Sequence, residues 1–162
     1  FLTLEEVACY GITMQILDIL GRCSTVFYQS YIPKLAESRA INDLPMLRKY
    51  YLQCKASYIA VFIAGGAALL IAGDWVLNLL GSQTNFLPTG MLLVALFVGL
   101  LEHNHAISAG FIMADNKIPF FIPSLISGAA TMVLLFVFLS PLQMGIWGLI
   151  LAPGIAKLAY QN

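Results

Sequence analysis

The sequence predicts an all-α, polytopic transmembrane helix bundle, and three observations carry that reading. Hydrophobic residues make up 60% of the 162-residue chain and charged residues only 10%, against ~25% charged in soluble globular domains. With a mean hydropathy of +0.86, too little charge remains to solvate a water-facing surface. Five stretches, 6–32, 56–80, 88–114, 118–139 and 143–160, approach or exceed the ~20 mostly apolar residues that a helical span requires. Runs such as 132–139 (MVLLFVFL) show none of the alternating polarity of barrel strands, which leaves helices as the spanning elements.

The first element, 6–32, leaves a start at Phe1 on the outer side with Glu5 and Glu6. The basic residues then sort to one side of the membrane. Lys34, Arg39, Arg48, Lys49 and Lys55 fall in or beside the first connection, Lys117 in the third and Lys157 near the end of the last span, which is seven of the eight. The second and fourth connections (GSQTNFLP and SPLQMG) carry none. By the positive-inside rule the basic face is cytoplasmic. Tyr28, Tyr31, Tyr58, Phe120 and Tyr160 near inner ends, and Trp75 and Trp147 near outer ends, read as interfacial anchors.

The connection 33–55 mixes charge with Leu35, Ile41, Leu44, Leu47, Tyr51 and Leu52. It reads as a cytoplasmic amphipathic loop containing a short interfacial helix. That helix starts at Pro45, with Asp43 or Leu44 at the cap. Spans two, four and five read as packing elements. Ala60, Ala64, Ala68 and Ala72 form one small-residue stripe, and Gly148, Ala152 and Ala156 another. Pro153 and Gly154 are expected to break the fifth span, and Pro123 the fourth one turn in, beside Ser124, Ser127, Gly128 and Thr131. Cys9, Cys23 and Cys54 form no CxxC pair and read as small packers.

The polar residues of the first span are ordered. Gly11, Gln15, Asp18, Arg22, Thr25 and Gln29 step by three or four and stack on one helical face, with Ile16, Ile19, Leu20, Val26 and Phe27 opposite. A charge near a span's centre costs about 2.5 to 3.5 kcal/mol on insertion scales. This face is therefore expected to look into protein or water. Asp18 and Arg22 stand in the favourable i, i+4 order. Two readings stay open: a self-neutralised structural pair, or a cavity lining in which the planar fork of Arg22 meets an anionic, phosphate-bearing substrate.

In the third span, Leu101, Glu102, His103, Asn104 and His105 (LEHNH) sit near mid-span. His105 lies about 60° from Glu102, while His103 and Asn104 point away. Glu102 with His105 is thus a candidate proton or cation relay, or else Glu102 is a permanently protonated carboxyl bonded to a neighbouring helix. His103 and His105 are about 200° apart and no HExxH occurs, so no metal site is expected. Without P-loop, GxSxG or paired catalytic aspartates, enzyme chemistry is not expected. Zero net charge disfavours a nucleic-acid partner. The start at Phe1, the end right after a span and the odd number of spans suggest a piece of a longer protein.

Four stretches carry a resemblance to a known family. They are Tyr10-Gly11-Ile12-Thr13-Met14-Gln15, then Tyr31-Ile32-Pro33-Lys34-Leu35 through Leu47-Arg48-Lys49, then LEHNH running to Asn116-Lys117-Ile118-Pro119-Phe120, and Gly145-Ile146-Trp147-Gly148-Leu149 leading to Tyr160-Gln161-Asn162. On these the chain resembles the C-terminal part of polysaccharide-biosynthesis membrane proteins, the O-antigen (Wzx-type) flippases of the multidrug/oligosaccharidyl-lipid/polysaccharide exporter superfamily. The resemblance implies two helical lobes around a central cavity, with this chain as most of the second lobe and the N-terminal lobe missing. It implies transfer of an undecaprenyl-pyrophosphate-linked oligosaccharide across a bacterial cytoplasmic membrane. It also implies no bound cofactor, with coupling to H+ or Na+, and membrane lipids, a polysaccharide polymerase and glycosyltransferases as further partners. A cation-coupled drug exporter of the same superfamily and a non-transporting scaffold for glycan assembly are the alternatives.

Overall fold

A computed structural model describes residues 2–82, 84–113 and 121–161. The chain is an all-α bundle, with no strand among the described residues. Its helical segments are α1 (Leu4–Ser24), α2 (Val26–Ala40), α3 (Leu44–Leu79), α4 (Thr89–Met113), α5 (Phe121–Leu139) and α6 (Ile146–Gln161). Three of the five expected spans, in α3, α4 and α5, are long and apolar enough to cross a membrane. The other two fall short by composition or length. Glu5, Glu6, Asp18 and Arg22 dilute the apolar character of α1, and the apolar stretch of α6, Ile146–Lys157, is shorter than the ~20 residues of a full span.

Local chemistry sets most helix ends. Thr3 caps α1 in a capping box: its hydroxyl accepts from the Glu6 N–H at 3.2 Å, and the Glu6 carboxylate accepts from the Thr3 N–H at 2.8 Å. α1 and α2 meet at Thr25, whose φ of −90° and ψ of −1° lie in the sparsely used bridge region. There the Ser24 and Thr25 hydroxyls donate to the carbonyls of Leu20 and Arg22, a back-bonding that bends helices.

The stretch 33–55 departs from the expected loop with a short interfacial helix. α2 runs through Pro33 to Ala40, and only 41–43 separate it from α3. Asn42 takes a left-handed φ of 55°, and the N–H groups of Asn42 and Asp43 donate to the carbonyls of Arg39 and Ser38. This double closure ends α2 as a Schellman motif. Asp43 then caps α3, its Oδ1 accepting from the Met46 N–H at 3.0 Å, with Pro45 in the first turn. The helix that Pro45 starts continues for 36 residues, about 54 Å, because nothing after Lys55 interrupts it. The hydrocarbon core of a bilayer is only ~30 Å thick, so α3 is longer than a span needs, and its end bearing Arg48, Lys49 and Lys55 packs alongside α2.

The core lies among α1, α3, α4 and α6, around Leu17, Tyr58, Phe62, Leu96, Ile107 and Ile150. α2 pairs with α3, while α5 packs on α6 and has no buried residue. Apolar side chains such as Ile71, 86% exposed, face outward, as helices in lipid do and helices in water do not. Tyr58 corrects an expectation. It is fully buried and donates to the Leu100 carbonyl at 2.7 Å, because its hydroxyl finds a partner inside the bundle, so it is no interfacial anchor. Ala60, Ala64 and Ala68 are exposed among the described residues, whereas Gly148, Ala152 and Ala156 are buried. Pro153 sits inside α6 without ending it, and Pro123 falls in the first turn of the described α5, where a missing N–H costs nothing. Lys117, Phe120 and the Tyr160 side chain lie outside the described residues.

One polar contact ties the connection after α3 to the bundle. The buried Thr13 hydroxyl donates to the Cys9 carbonyl at 2.7 Å and accepts from the Leu87 N–H at 3.1 Å. Thr13→Val keeps the shape and orphans that N–H, at a cost of about 1–3 kcal/mol. Thermal unfolding in detergent should register the loss, and an unchanged midpoint would discount the contact.

Candidate functional site

α1 presents three faces. Thr13, Leu17, Gly21 and Ser24 form the buried one, at the i, i+4 spacing of a single helical stripe. The polar residues predicted to line a cavity lie about 120° around the helix from it. Gln15, Asp18, Arg22 and Gln29 are exposed and Thr25 is half-buried, so they share the face read from their spacing. Asp18 and Arg22 form an ion pair at 2.9 Å, with side chains 54% and 76% exposed. The pair is largely exposed, and among the described residues no helix covers it. The apolar residues opposite divide: Ile16 and Leu20 are half-buried, while Ile19, Val26 and Phe27 are exposed, and the Thr13 to Ser24 stripe is the one that approaches α4.

That approach is closest at Gly21. A Cβ there would lie 2.1 Å from Nε2 of His103, so only glycine lets α1 reach the imidazole. The ring is also held from α4 and α3. Nδ1 donates to the Gly99 carbonyl at 3.0 Å, and the ring stacks near Tyr58 and Phe62 with centroids 6.5 and 6.3 Å away. Two turns away, a Cβ on Gly110 would meet the Tyr28 hydroxyl at 1.9 Å, a second close approach that seats α2 on α4.

Between α1, α4 and α6 lies a cavity of about 210 Å³, bordered by Met14, Asp18, Val98, Glu102, His103 and Pro153 among others. It brings together Asp18 from the first predicted cluster and Glu102 from the second. The imidazole it contains belongs to His103. His105, chosen because it lies closer to Glu102 on a helical wheel, is half-buried and does not border the cavity. The wheel measured angle from Glu102, whereas the cavity opens between two neighbouring helices and takes residues from both flanks of α4. Asn104 turns its side-chain oxygen inward without a hydrogen-bond partner among the described residues.

The partner of Glu102 is Lys157 on α6, 55 residues on in the chain, to which it is joined by an ion pair and hydrogen bond. Both side chains are part-exposed, and Glu102 borders the cavity. Sequence reasoning used Lys157 only as a marker of sidedness. The signal that was present is chemical: an acid within a span needs a base or a proton, and Lys157 is the one lysine of the sixth helix.

One further reading changes, that of Cys23. Cys54 is buried as a packer, while Cys23 is exposed. Among the described residues no group of three or more His, Cys, Asp or Glu is placed to hold a metal ion. Comparisons with family models, curated proteins and solved structures give no match.

Proposed function

We propose that this chain is most of one lobe of a flippase that moves an undecaprenyl-pyrophosphate-linked oligosaccharide across a bacterial cytoplasmic membrane by alternating access. One observation carries the reading: a charged stripe on α1, centred on the Asp18–Arg22 pair, faces outward, whereas the outward faces of α5 and of the middle of α3, with residues such as Phe136, Met132, Ile63 and Ile71, are apolar. In a bilayer that stripe requires water or a second polar surface. A facing lobe across a central path supplies both. Arg22 then meets the pyrophosphate, the sugars follow the stripe, and the lipid tail stays among the outward apolar side chains. In this arrangement α1 and α6 also cross the membrane, short or polar as they are, because protein and water shield them. The basic α2–α3 hairpin lies on the cytoplasmic side.

A cation-coupled exporter of other substrates is the second reading, favoured by two carboxylates, Asp18 and Glu102, on one cavity. Arg22 weighs against it, since a cation path gains nothing from an exposed guanidinium. Cells lacking the protein separate the two. Loss of surface polysaccharide with unchanged dye tolerance is the expected result; dye sensitivity with intact polysaccharide would replace the flippase reading with the exporter. Intact polysaccharide and unchanged dye tolerance would sink both.

A further inference from the structure

The seam between α4 and α6 is apolar along most of its length. Ile150, Ala152 and Ala156 are buried on the α6 side, and Gly154 accommodates Val98, whose methyl would lie 2.9 Å from a Cβ at that position. The Glu102–Lys157 ion pair crosses this seam at the edge of the cavity. α5 packs on α6, so the α5–α6 hairpin is joined to the rest of the bundle mainly through this α4–α6 seam, which the pair crosses.

We propose that Lys157 is a tethered counter-ion that occupies the cation seat of Glu102, and that a proton, and not sodium, displaces it and unlatches α6 from α4. The proposal rests on the transport reading and names the species that works its gate. With Glu102 ionised, the carboxylate and the ammonium hold the seam closed. When a proton binds the carboxylate, Glu102 becomes neutral, Lys157 keeps its three protons, and the site gains one positive charge. The ammonium is then free to turn toward the cavity, where an anionic head group replaces the carboxylate as its partner.

Sodium is a poorer competitor for a chemical reason. A proton bonds covalently to the carboxylate and abolishes its charge. Sodium must instead shed water and share a seat already filled by a cation on a fixed tether. The other charged or titratable groups facing Glu102 fit this assignment. Asp18 on α1 borders the same cavity but is already neutralised by Arg22. On α4, His103 is held by the Gly99 carbonyl and His105 lies one turn on. On α3, Tyr58 spends its hydroxyl on the Leu100 carbonyl. Lys157 is the group whose partner changes.

Spin labels at Ile112 on α4 and Ile155 on α6, both exposed, test this in the intact protein reconstituted in lipid. At neutral pH the distance distribution should be narrow. On acidification it should shift to the distribution that Glu102→Gln and Lys157→Met show at every pH, and exchanging choline chloride for sodium chloride should leave it unmoved. The charge-swapped Glu102→Lys, Lys157→Glu protein should recover the narrow distribution at neutral pH, a control that stands if a single variant fails to fold. A wild-type distribution independent of pH, a shift caused by sodium, or a Glu102→Gln protein that still responds to acid like wild type would each overturn the proposal. The readout uses no substrate. A protein that unlatches with acid but moves no labelled lipid-linked sugar would therefore leave the latch standing and remove the flippase.

Discussion

Replacing Arg22 with alanine in the intact protein should lower translocation of a labelled lipid-linked sugar about tenfold to a hundredfold, the equivalent of one lost charge-assisted contact. It should do so without unfolding the bundle. The guanidinium is 76% exposed and its pairing with Asp18 is a surface ion pair within one helix, worth only about 0.3–0.5 kcal/mol. Its removal costs little stability, so a loss of transport would come from the missing positive fork. Arg22→Lys sharpens the test, because it retains charge but not the two parallel donors that match a phosphate. Intermediate transport is expected. Wild-type rates in Arg22→Ala, measured in proteoliposomes containing equal amounts of folded protein, would show that the pair is structural and that the substrate passes elsewhere.

The second large effect is on assembly. Gly21→Val should destabilise the bundle more than any surface change on α1, because its Cβ would overlap His103 Nε2, 2.1 Å away. The imidazole is the far end of a side chain and in an open setting it would swing aside. Here the Gly99 carbonyl anchors it beside Tyr58 and Phe62, so relieving the clash costs that hydrogen bond or moves α1 away from α4. Overpacking of this kind costs about 1–3 kcal/mol for each added group that finds no room. His103→Ala should recover part of the loss in the double variant, since two changes at one contact are not additive. Thermal unfolding of the four proteins in detergent measures the cycle. A Gly21→Val protein as stable as wild type would mean that α1 does not approach α4 through this glycine.

Much of the architecture was legible because it follows from chemistry local in the chain. Low charge, high hydropathy and apolar runs without alternation lead to helices that turn apolar faces outward. The Asp43 cap and Pro45 mark the start of α3 because a capping carboxylate and a proline act within one turn. The polar stripe of α1 was readable for the same reason: helical spacing is a property of a single segment.

What escaped the sequence depends on which segments meet. The pairing of Glu102 with Lys157 joins residues 55 positions apart. Neither residue type nor spacing names a partner at that distance. His103 enters the cavity in place of His105 because α1 and α6 flank α4 on particular sides, and Gly21 sets how close α1 comes. The alanine stripe of α3 faces outward although its composition suits a helix contact, since the facing helix chosen by packing lies along Tyr58, Phe62 and Gly66. Periodicity thus assigns residues to faces, and the packing of one helix on another assigns faces to each other. The first operates through hydrogen bonds and side-chain geometry within a turn. The second is the sum of many weak contacts between distant segments, and it exists only once the chain has folded.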